Sequence, residues 1–373
     1  MVRQLTLVIH SLHGGGAERT LVTMANHWAA NGDRVTFITL AAPERYDYEL
    51  AASVVRVCLD GMQDSTTTLR AVINNFRRLV RLRRAIRDAK GDAVISFTDK
   101  MNVLTLLACV GLRKRVVICE RVDPRRHAIG RSWSFLRRRT YAWCDTLVVQ
   151  TEGVRDFVSG FVPKRKIRVI ANAVANSAIA QPDGGHREQW IVAMGRLESQ
   201  KGFDLLLEAF SQIVERHPGW RLKIFGDGSQ RELLADQIRE LGLEQSVELC
   251  GWVESPDRWI NQSELFVLSS RYEGFPNALL EAMAAGVPAV SFDCESGPSE
   301  IIRHEVDGLL VPDGDVEGLA QAIDRVLSNP QERAAFGQRA RDVTTRFSRE
   351  QYFQQWDAIL SPAAHDSVTQ REA

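Results

Sequence analysis

The chain has no stretch of about 18 uninterrupted apolar residues, so a membrane-spanning helix is not expected. Nor does a basic leader precede an apolar segment at its start, which enters a strand pattern at once. No secretory signal is visible, and a cytoplasmic location is expected. Cysteine is scarce: six residues in 373, none in a C-x-x-C pair, most of them inside apolar runs. They read as buried free thiols in a reducing compartment. No His/Cys group has metal-ligand spacing. The G-x-G-x-x-G fingerprint is missing, which leaves an NAD-dependent oxidoreductase without its main support. No period of 20–50 residues recurs, so a solenoid is out. Net charge is also missing, since Lys+Arg and Asp+Glu both number 47.

That neutrality is a cancellation. Residues 1–180 hold 29 Lys/Arg against 15 Asp/Glu, whereas residues 181–373 hold 18 against 32. The halves therefore carry +14 and −14. Such asymmetry points to two domains with different partners, the basic one favouring phosphates or an anionic surface. With 45% apolar and 25% charged residues, the chain is long enough and ordinary enough for two globular domains.

Short β-branched runs alternate with helix-length patterns, which predicts βαβ units and parallel sheets. In the first half the strands fall at 5–11, 35–39, 54–59, 93–96, 116–119 and 146–149, with helices at 17–30, 69–89, 101–111 and 132–143. A linker-like stretch at 172–189, rich in Asn, Ser, Pro and Gly, interrupts the pattern. Alternation resumes with strands at 191–194, 222–225, 247–249, 265–268 and 289–292 and helices at 203–216, 230–241, 257–263 and 278–285. Helices at 316–327, 331–345 and 349–360 close the chain.

Ligands of open α/β sheets bind at the carboxyl ends of strands, and three motifs fall there. The first, Ser11-Leu12-His13-Gly14-Gly15-Gly16-Ala17-Glu18, follows a strand and opens a helix. It suits a phosphate or carboxylate, although a plain tight turn reads almost as well. The second is Gly195-Arg196-Leu197 with Lys201-Gly202 close behind. Two cations at a strand end could neutralise a diphosphate; a solvated loop is the bland alternative. The third, Ser269-Ser270-Arg271-Tyr272-Glu273-Gly274-Phe275-Pro276-Asn277-Ala278-Leu279-Leu280-Glu281, decides between them. Its two carboxylates bracket a helix start whose N–H groups attract anions, an arrangement suited to a sugar nucleotide.

On these residues the chain resembles retaining nucleotide-sugar glycosyltransferases of family four, and in particular bacterial exopolysaccharide and lipopolysaccharide enzymes of the amylovoran galactosyltransferase type. The resemblance implies the GT-B fold: α/β, two doubly wound Rossmann-like domains with a deep interdomain cleft. The expected parts are a basic, acceptor-side domain at 1–175 and a nucleotide-sugar domain at 176–345. A helix at 346–360 would cross back, and a flexible tail at 361–373 would follow. By the same resemblance Glu273 contacts donor-sugar hydroxyls and Glu281 the ribose, while Arg196 and Lys201 grip the diphosphate. Gly14, Gly15 and Gly16 lie against phosphate and sugar, as do Gly274, Phe275, Pro276, Asn277 and Ala278. Gly226, Trp252 and Val253 belong to base-side loops, and Gly297–Ile302 lines the neighbouring strand end. The implied donor is a UDP-sugar, and the acceptor a polyprenyl-diphosphate-linked or lipopolysaccharide glycan. Several family members carry a His near the donor sugar in the first domain. The comparable strand ends here hold none, which leaves Asp99, Glu120 and Arg121 as acceptor-side candidates.

No cofactor is implied, and a metal-independent reaction is expected. Asp313-Gly314-Asp315 matches an Asp-x-Asp pair literally, but Asp315 reads as a helix N-cap. Between Arg70 and Arg139 there are 19 Lys/Arg and five Asp/Glu. In the helix at 69–89, Leu69, Val72, Ile73, Phe76, Leu79, Val80 and Ile86 are expected to form one apolar face. The arginine excess suggests docking on the anionic inner face of the cell membrane. Rival readings are a GT-B-type sugar-nucleotide epimerase or hydrolase, and a nucleic-acid-binding protein using the basic half. The second lacks interleaved aromatics and leaves Glu273 and Glu281 without a role.

Overall fold

The computed structural model describes residues 2–44, 47–59, 68–175 and 187–361. The chain divides into two compact units, Met1–Ile170 with Gln355–Ala373, and Ala171–Gln354. Most of the linker at 172–189 and of the tail from 361 lies outside the described residues.

The first unit runs β1 (Gln4–Ile9), α1 (Gly16–Ala30), β2 (Arg34–Thr39), β3 (Val55–Cys58), α2 (Thr68–Asp88), β4 (Ala93–Phe97), α3 (Asp99–Cys109), β5 (Arg115–Cys119), α4 (Arg131–Thr140), β6 (Thr146–Val149), α5 (Glu152–Val158) and β7 (Ile167–Val169). Its seven strands form one parallel sheet in the order β3-β2-β1-β4-β5-β6-β7. Helices on both faces bury the central strands, which is why β1, β4 and β6 read as continuous apolar runs.

The second unit runs β8 (Glu188–Met194), α6 (Phe203–Ser211), β9 (Arg221–Phe225), α7 (Arg231–Glu240), β10 (Val247–Gly251), α8 (Pro256–Gln262), β11 (Ser263–Leu268), α9 (Asn277–Ala284), β12 (Ala289–Asp293), α10 (Pro298–Ile301) and β13 (Gly308–Pro312). It ends with α11 (Val316–Ser328), α12 (Pro330–Ala340), α13 (Val343–Arg346) and α14 (Arg349–Leu360). Its strand order is β10-β9-β8-β11-β12-β13, again all parallel. Alternation along each strand feeds two half-cores. Ile191 and Ala193 join Leu265 and Val267 on one face, while Val192 and Met194 join Phe266 and Leu268 on the other.

Both sheets reverse strand order once, between β1 and β4 and between β8 and β11. Those two points are where a doubly wound sheet opens a crevice for ligand. The last turns of α14 belong to the first unit. There the fully buried Trp356 sits 6.4 Å from the Trp28 ring and 6.2 Å from the Phe97 ring. Asp357 accepts from Arg3 at 2.6 Å and from the Trp28 indole at 3.1 Å.

Two helical expectations change. The pattern at 331–345 breaks at Arg341 and Asp342 into α12 and α13. In α2 the inward side is Leu82 and Ile86, with Leu79 packed against them. Ile73 and Phe76 are 43% and 65% exposed instead, on the side that carries Arg77, Arg81, Arg84 and Arg87. The single apolar stripe expected there is therefore two faces: a core-facing one, and an outer one mixing aromatics with arginine.

Candidate functional site

In the second unit the loops after β8 and β11 meet at the switch point and are stitched together. Arg271 N–H donates to the Gln200 carbonyl at 2.9 Å, and the Gln200 amide donates to the Tyr272 carbonyl at 2.9 Å. The Arg271 guanidinium forks onto Asp204 at 2.8 and 2.6 Å and also reaches the Ser199 carbonyl. This bracing brings Lys201 Nζ to 2.6 Å from Glu273 Oε1, which also accepts from the Ser270 hydroxyl at 2.6 Å. Two glycines make the approach possible. A Cβ on Gly195 would stand 2.7 Å from the Lys201 stem, and one on Gly202 would stand 2.0 Å from the Ser269 carbonyl. Gly202 also needs its positive φ of 61°.

Helix α9 begins directly beyond this pair. Pro276 is its N-cap and offers no side-chain acceptor, so no side-chain cap bond closes the positive end of the helix dipole. Asn172 holds the approach in place, donating to the Phe275 carbonyl at 3.1 Å and to Asn277 Oδ1 at 2.5 Å. Glu273 and Glu281 are 6% and 7% exposed. Arg196 projects into solvent after β8. Gly226 N–H donates to the Gly251 carbonyl at 2.8 Å, which sets the loops after β9 and β10 side by side. Trp252 beyond them is exposed, and Val253 packs on the core. Asp315 Oδ1 accepts from Gly318 N–H at 2.9 Å as the N-cap of α11. Among the described residues no three His, Cys, Asp or Glu side chains gather as a metal site.

The first unit presents a second constellation at its own switch point. After β1, Gly14 takes a φ of 61° and α1 starts at Gly16. The Glu18 carboxylate folds back over Gly15, the third-residue placement of a capping box. A phosphate at this glycine loop would share the helix start with that carboxylate. After β4, Thr98 holds a φ of 74°, unusual for a β-branched residue, and hands over to Asp99. Asp99 is 9% exposed; its Oδ2 lies 2.8 Å from His127 Nδ1, and its Oδ1 accepts the Lys100 N–H. Burial alone would raise the Asp99 carboxyl, yet the bond and charge of His127 hold it below the usual range.

Glu120 and Arg121 correct an expectation. As acceptor-side groups they should face outward, but they are 3% and 8% exposed. Tyr141 donates to Glu120 at 2.7 Å, and Arg121 lies over the Phe97 ring and donates to Thr20. Their work is inside the domain.

Two family models divide the chain between them. Residues 14–177 match Glycosyltransferase Family 4 and residues 178–343 match Glycosyl transferases group 1. The chain belongs to the family-four glycosyltransferases. Among curated relatives, this glycosyltransferase is 27% identical over 360 residues to a Campylobacter jejuni enzyme, covering 96% of this chain and 98% of that one. That enzyme is named as an α-1,4-N-acetyl-D-galactosaminyltransferase acting on a GalNAc-containing diNAcBac-PP-undecaprenol glycan. It is 26% identical to the amylovoran biosynthesis glycosyltransferase AmsD of Erwinia amylovora, over 97% of this chain and all of that one. An exopolysaccharide phosphotransferase of Streptomyces coelicolor is 35% identical over 283 residues, but the chain spans only 30% of that longer protein. In fold it matches S. aureus TarM, solved with UDP, at a TM-score of 0.80 and 15% identity, covering 95% of this chain and 99% of that one.

His127 is the group that sequence reasoning missed in this glycosyltransferase. It stands eight residues past the end of β5, so inspection of the strand ends passes it by. The loop returns it: the Arg125 guanidinium forks onto the buried Asp123 carboxylate, and His127 N–H closes a turn on the Asp123 carbonyl at 3.0 Å. The available signal was Asp123-Pro124, a turn-initiating pair with a His three residues on.

Proposed function

We propose that this glycosyltransferase moves a hexose or N-acetylhexosamine from a UDP-sugar, with retention at the anomeric carbon and without a metal. The acceptor is a polyprenyl-diphosphate-linked or lipopolysaccharide glycan presented at the anionic cytoplasmic face of a membrane. The observation that carries the donor reading is the Lys201–Glu273 pair at the β8/β11 switch point, directly ahead of the α9 N-terminus. A diphosphate entering there meets Lys201, Arg196 and the positive end of the α9 dipole, and Glu273 is left to accept from sugar hydroxyls.

In the reaction the bond from the anomeric carbon to the diphosphate oxygen breaks and UDP leaves with the electron pair. The acceptor oxygen bonds the same face of that carbon, and its proton passes to the departing diphosphate. The protein's share is electrostatic: Arg196, Lys201 and the α9 dipole stabilise charge that grows on the leaving group. Because these cations serve the diphosphate and Asp315 is engaged as a cap, the residues present suit a metal-free site. His127, oriented by Asp99 and with its ring 40% exposed, is the group of the first unit to which we assign the contact with the reacting sugar. A relative named for an undecaprenol-linked acceptor supports the acceptor class. The arginine-rich outer face of α2 supports the membrane setting.

Protection against thermal unfolding by UDP-Gal, UDP-Glc, UDP-GalNAc and GDP-Man tests the donor. The expected result is a shift with UDP and one UDP-sugar that survives EDTA, with the α-anomeric product seen by NMR. Protection by GDP-Man alone, or a β-linked product, overturns the corresponding part of the reading.

A further inference from the structure

The polar cluster behind His127 holds more charge than orienting one imidazole requires. Strands β4 and β5 are paired through Phe97 and Cys119, so Asp99 and Glu120 stand at adjacent strand ends. Arg137 from α4, Tyr141 from the turn after it, Asn102 from α3 and His127 from the loop face these carboxyls. Cys119 lies beneath as a buried thiol pushed up to about 11; the Arg121 guanidinium donates to its Sγ at 3.8 Å and extends over Phe97 to Thr20. Asp99 is bonded by His127 and by the Lys100 N–H. Glu120 has the Tyr141 hydroxyl, and its distance to Arg137 Nη1 is 3.9 Å, too long for a hydrogen bond. Arg137 is 5% exposed, and its Nε and Nη1 have no hydrogen-bond partner. Its Nη2 donates to the Pro124 carbonyl at 3.2 Å, in the loop that carries His127.

Charge balance decides how this cluster works. Ionised Asp99 and the Arg137 guanidinium cancel. Unless His127, which is charged only when protonated, supplies a further positive charge, an ionised Glu120 leaves a net negative charge in the interior beside a second carboxylate, which is costly at this burial. A protonated Glu120 removes that cost and keeps its bond to Tyr141, which Asn102 in turn bonds at 3.2 Å.

We propose that Glu120 is a positioning residue for His127. It carries the single proton of a two-carboxyl cluster, so that Asp99 alone is charged and gives His127 one fixed anion. The direction of its titration agrees: burial first, then the Asp99 charge, push the Glu120 carboxyl up to about 7 against the pull of Arg137, Tyr141 and His127. Above that pH the ionised group favours any opening that lets water reach it. The cover that must open is α4 with the Asp123–Ile129 loop, tied together through Arg137 and Pro124. His127 leaves its place when that cover loosens.

The inference rests on the proposed function only in assigning His127 to the sugar side, and its test needs no donor. Hydrogen–deuterium exchange on the full chain at about pH 6.5 and about pH 8.5 reads the 123–129 segment directly. After correction for intrinsic rates, the native chain is expected to lose about tenfold in protection there at the higher pH. Glu120→Gln, whose amide imitates the protonated acid, should keep its protection at both. Thermal unfolding is the second measurement. The folded Glu120 binds its proton more tightly than the unfolded chain, so its stabilisation is full below about 4.5 and is lost as pH rises through about 7. The native midpoint should therefore fall over this interval more than that of the variant. In transfer assays kcat should decline above about pH 7 in the native enzyme and stay level in Glu120→Gln, with the donor KM unchanged in both. An identical pH response in Glu120→Gln, or a variant that does not fold, overturns the proposal. A native chain that turns over no UDP-sugar would count against the donor reading alone, because the exchange result still stands.

Discussion

Lys201 and Glu273 are 72 positions apart in sequence and 2.6 Å apart in space. The pair joins the loops that follow β8 and β11, so one contact fixes the two halves of the proposed donor site. With no diphosphate present each charge satisfies the other. In the proposed reaction a bound donor would compete for Lys201 and leave Glu273 free to accept from sugar hydroxyls. Glu273→Gln should therefore lower kcat by about 10²-fold or more, with a smaller effect on UDP affinity. Arg196→Ala should likewise act mainly on kcat, whereas Glu281→Ala should weaken nucleotide binding. Steady-state kinetics beside calorimetric UDP titration separate the two classes. Wild-type turnover in Glu273→Gln or Arg196→Ala, or unaltered UDP affinity in Glu281→Ala, removes the role assigned to that residue.

Gly202 controls whether that pair can form. Its φ is 61°, and an added Cβ would stand 2.0 Å from the Ser269 carbonyl, a backbone atom with little room to move. Gly14 has the same φ but open space around its Cβ direction. Gly14→Ala should cost only the left-handed conformation, about 1 kcal/mol. Gly202→Ala should cost more, about 2–4 kcal/mol, and should reduce transfer as Lys201 is displaced. Denaturant unfolding of both variants measures the difference. Equal losses would show that the close approach to Ser269 can be relieved.

These positions show what the sequence could and could not disclose. The βαβ alternation and the strand–loop–helix setting of the Arg271–Glu281 motif were legible because each is local: a strand run, a helix start. Strands β7 and β13 were not, since β7 has only three residues and β13 starts at a glycine and ends at a proline. The ion pair of Lys201 with Glu273 depends on sheet order, which no local pattern records. Glu120 misled for the same reason. A carboxylate after a strand looks like a ligand group until α4 and Tyr141 are seen to cover it. In α2 the apolar positions were correctly noted, but only the packing against α3 decides which of them face inward.

The Asp99–His127 bond gives a prediction of opposite pH sign to that for Glu120. The folded Asp99 carboxyl lies below its ordinary value, so it adds stability above about pH 4 that is lost as pH falls through the folded value. Asp99→Asn should remove that acid-side dependence from unfolding curves. It should also lower kcat by about 10- to 100-fold, the usual loss when a carboxylate that orients a working imidazole is neutralised. His127→Ala should lower kcat at least as far while leaving UDP binding in the second unit intact. If Asp99→Asn keeps full activity, His127 does not depend on this carboxylate for its orientation.

The outer face of the first unit yields a prediction about where the enzyme works. Phe76 on α2 is 65% exposed and Phe135 on α4 is 58% exposed, with the Arg139 guanidinium 5.2 Å from the Phe135 ring. Helices α2 and α4 both pack on α3, and their outer sides add Arg77, Arg81, Arg84, Arg87, Arg131 and Arg138. Among the described residues no helix is long and apolar enough to cross a membrane. Aromatics set among arginines instead suit a surface with an anionic headgroup layer over an apolar one. Each cation near such a surface contributes about 1 kcal/mol, so Arg81→Glu should weaken binding to anionic vesicles by about fivefold or more. Phe76→Ser should weaken it further by removing the apolar insert, without changing donor turnover in solution. Flotation on anionic and on neutral vesicles, at low and high salt, reads the effect. Equal recovery on both vesicle types, insensitive to salt and to these substitutions, would leave the arginine face with a solvating role alone.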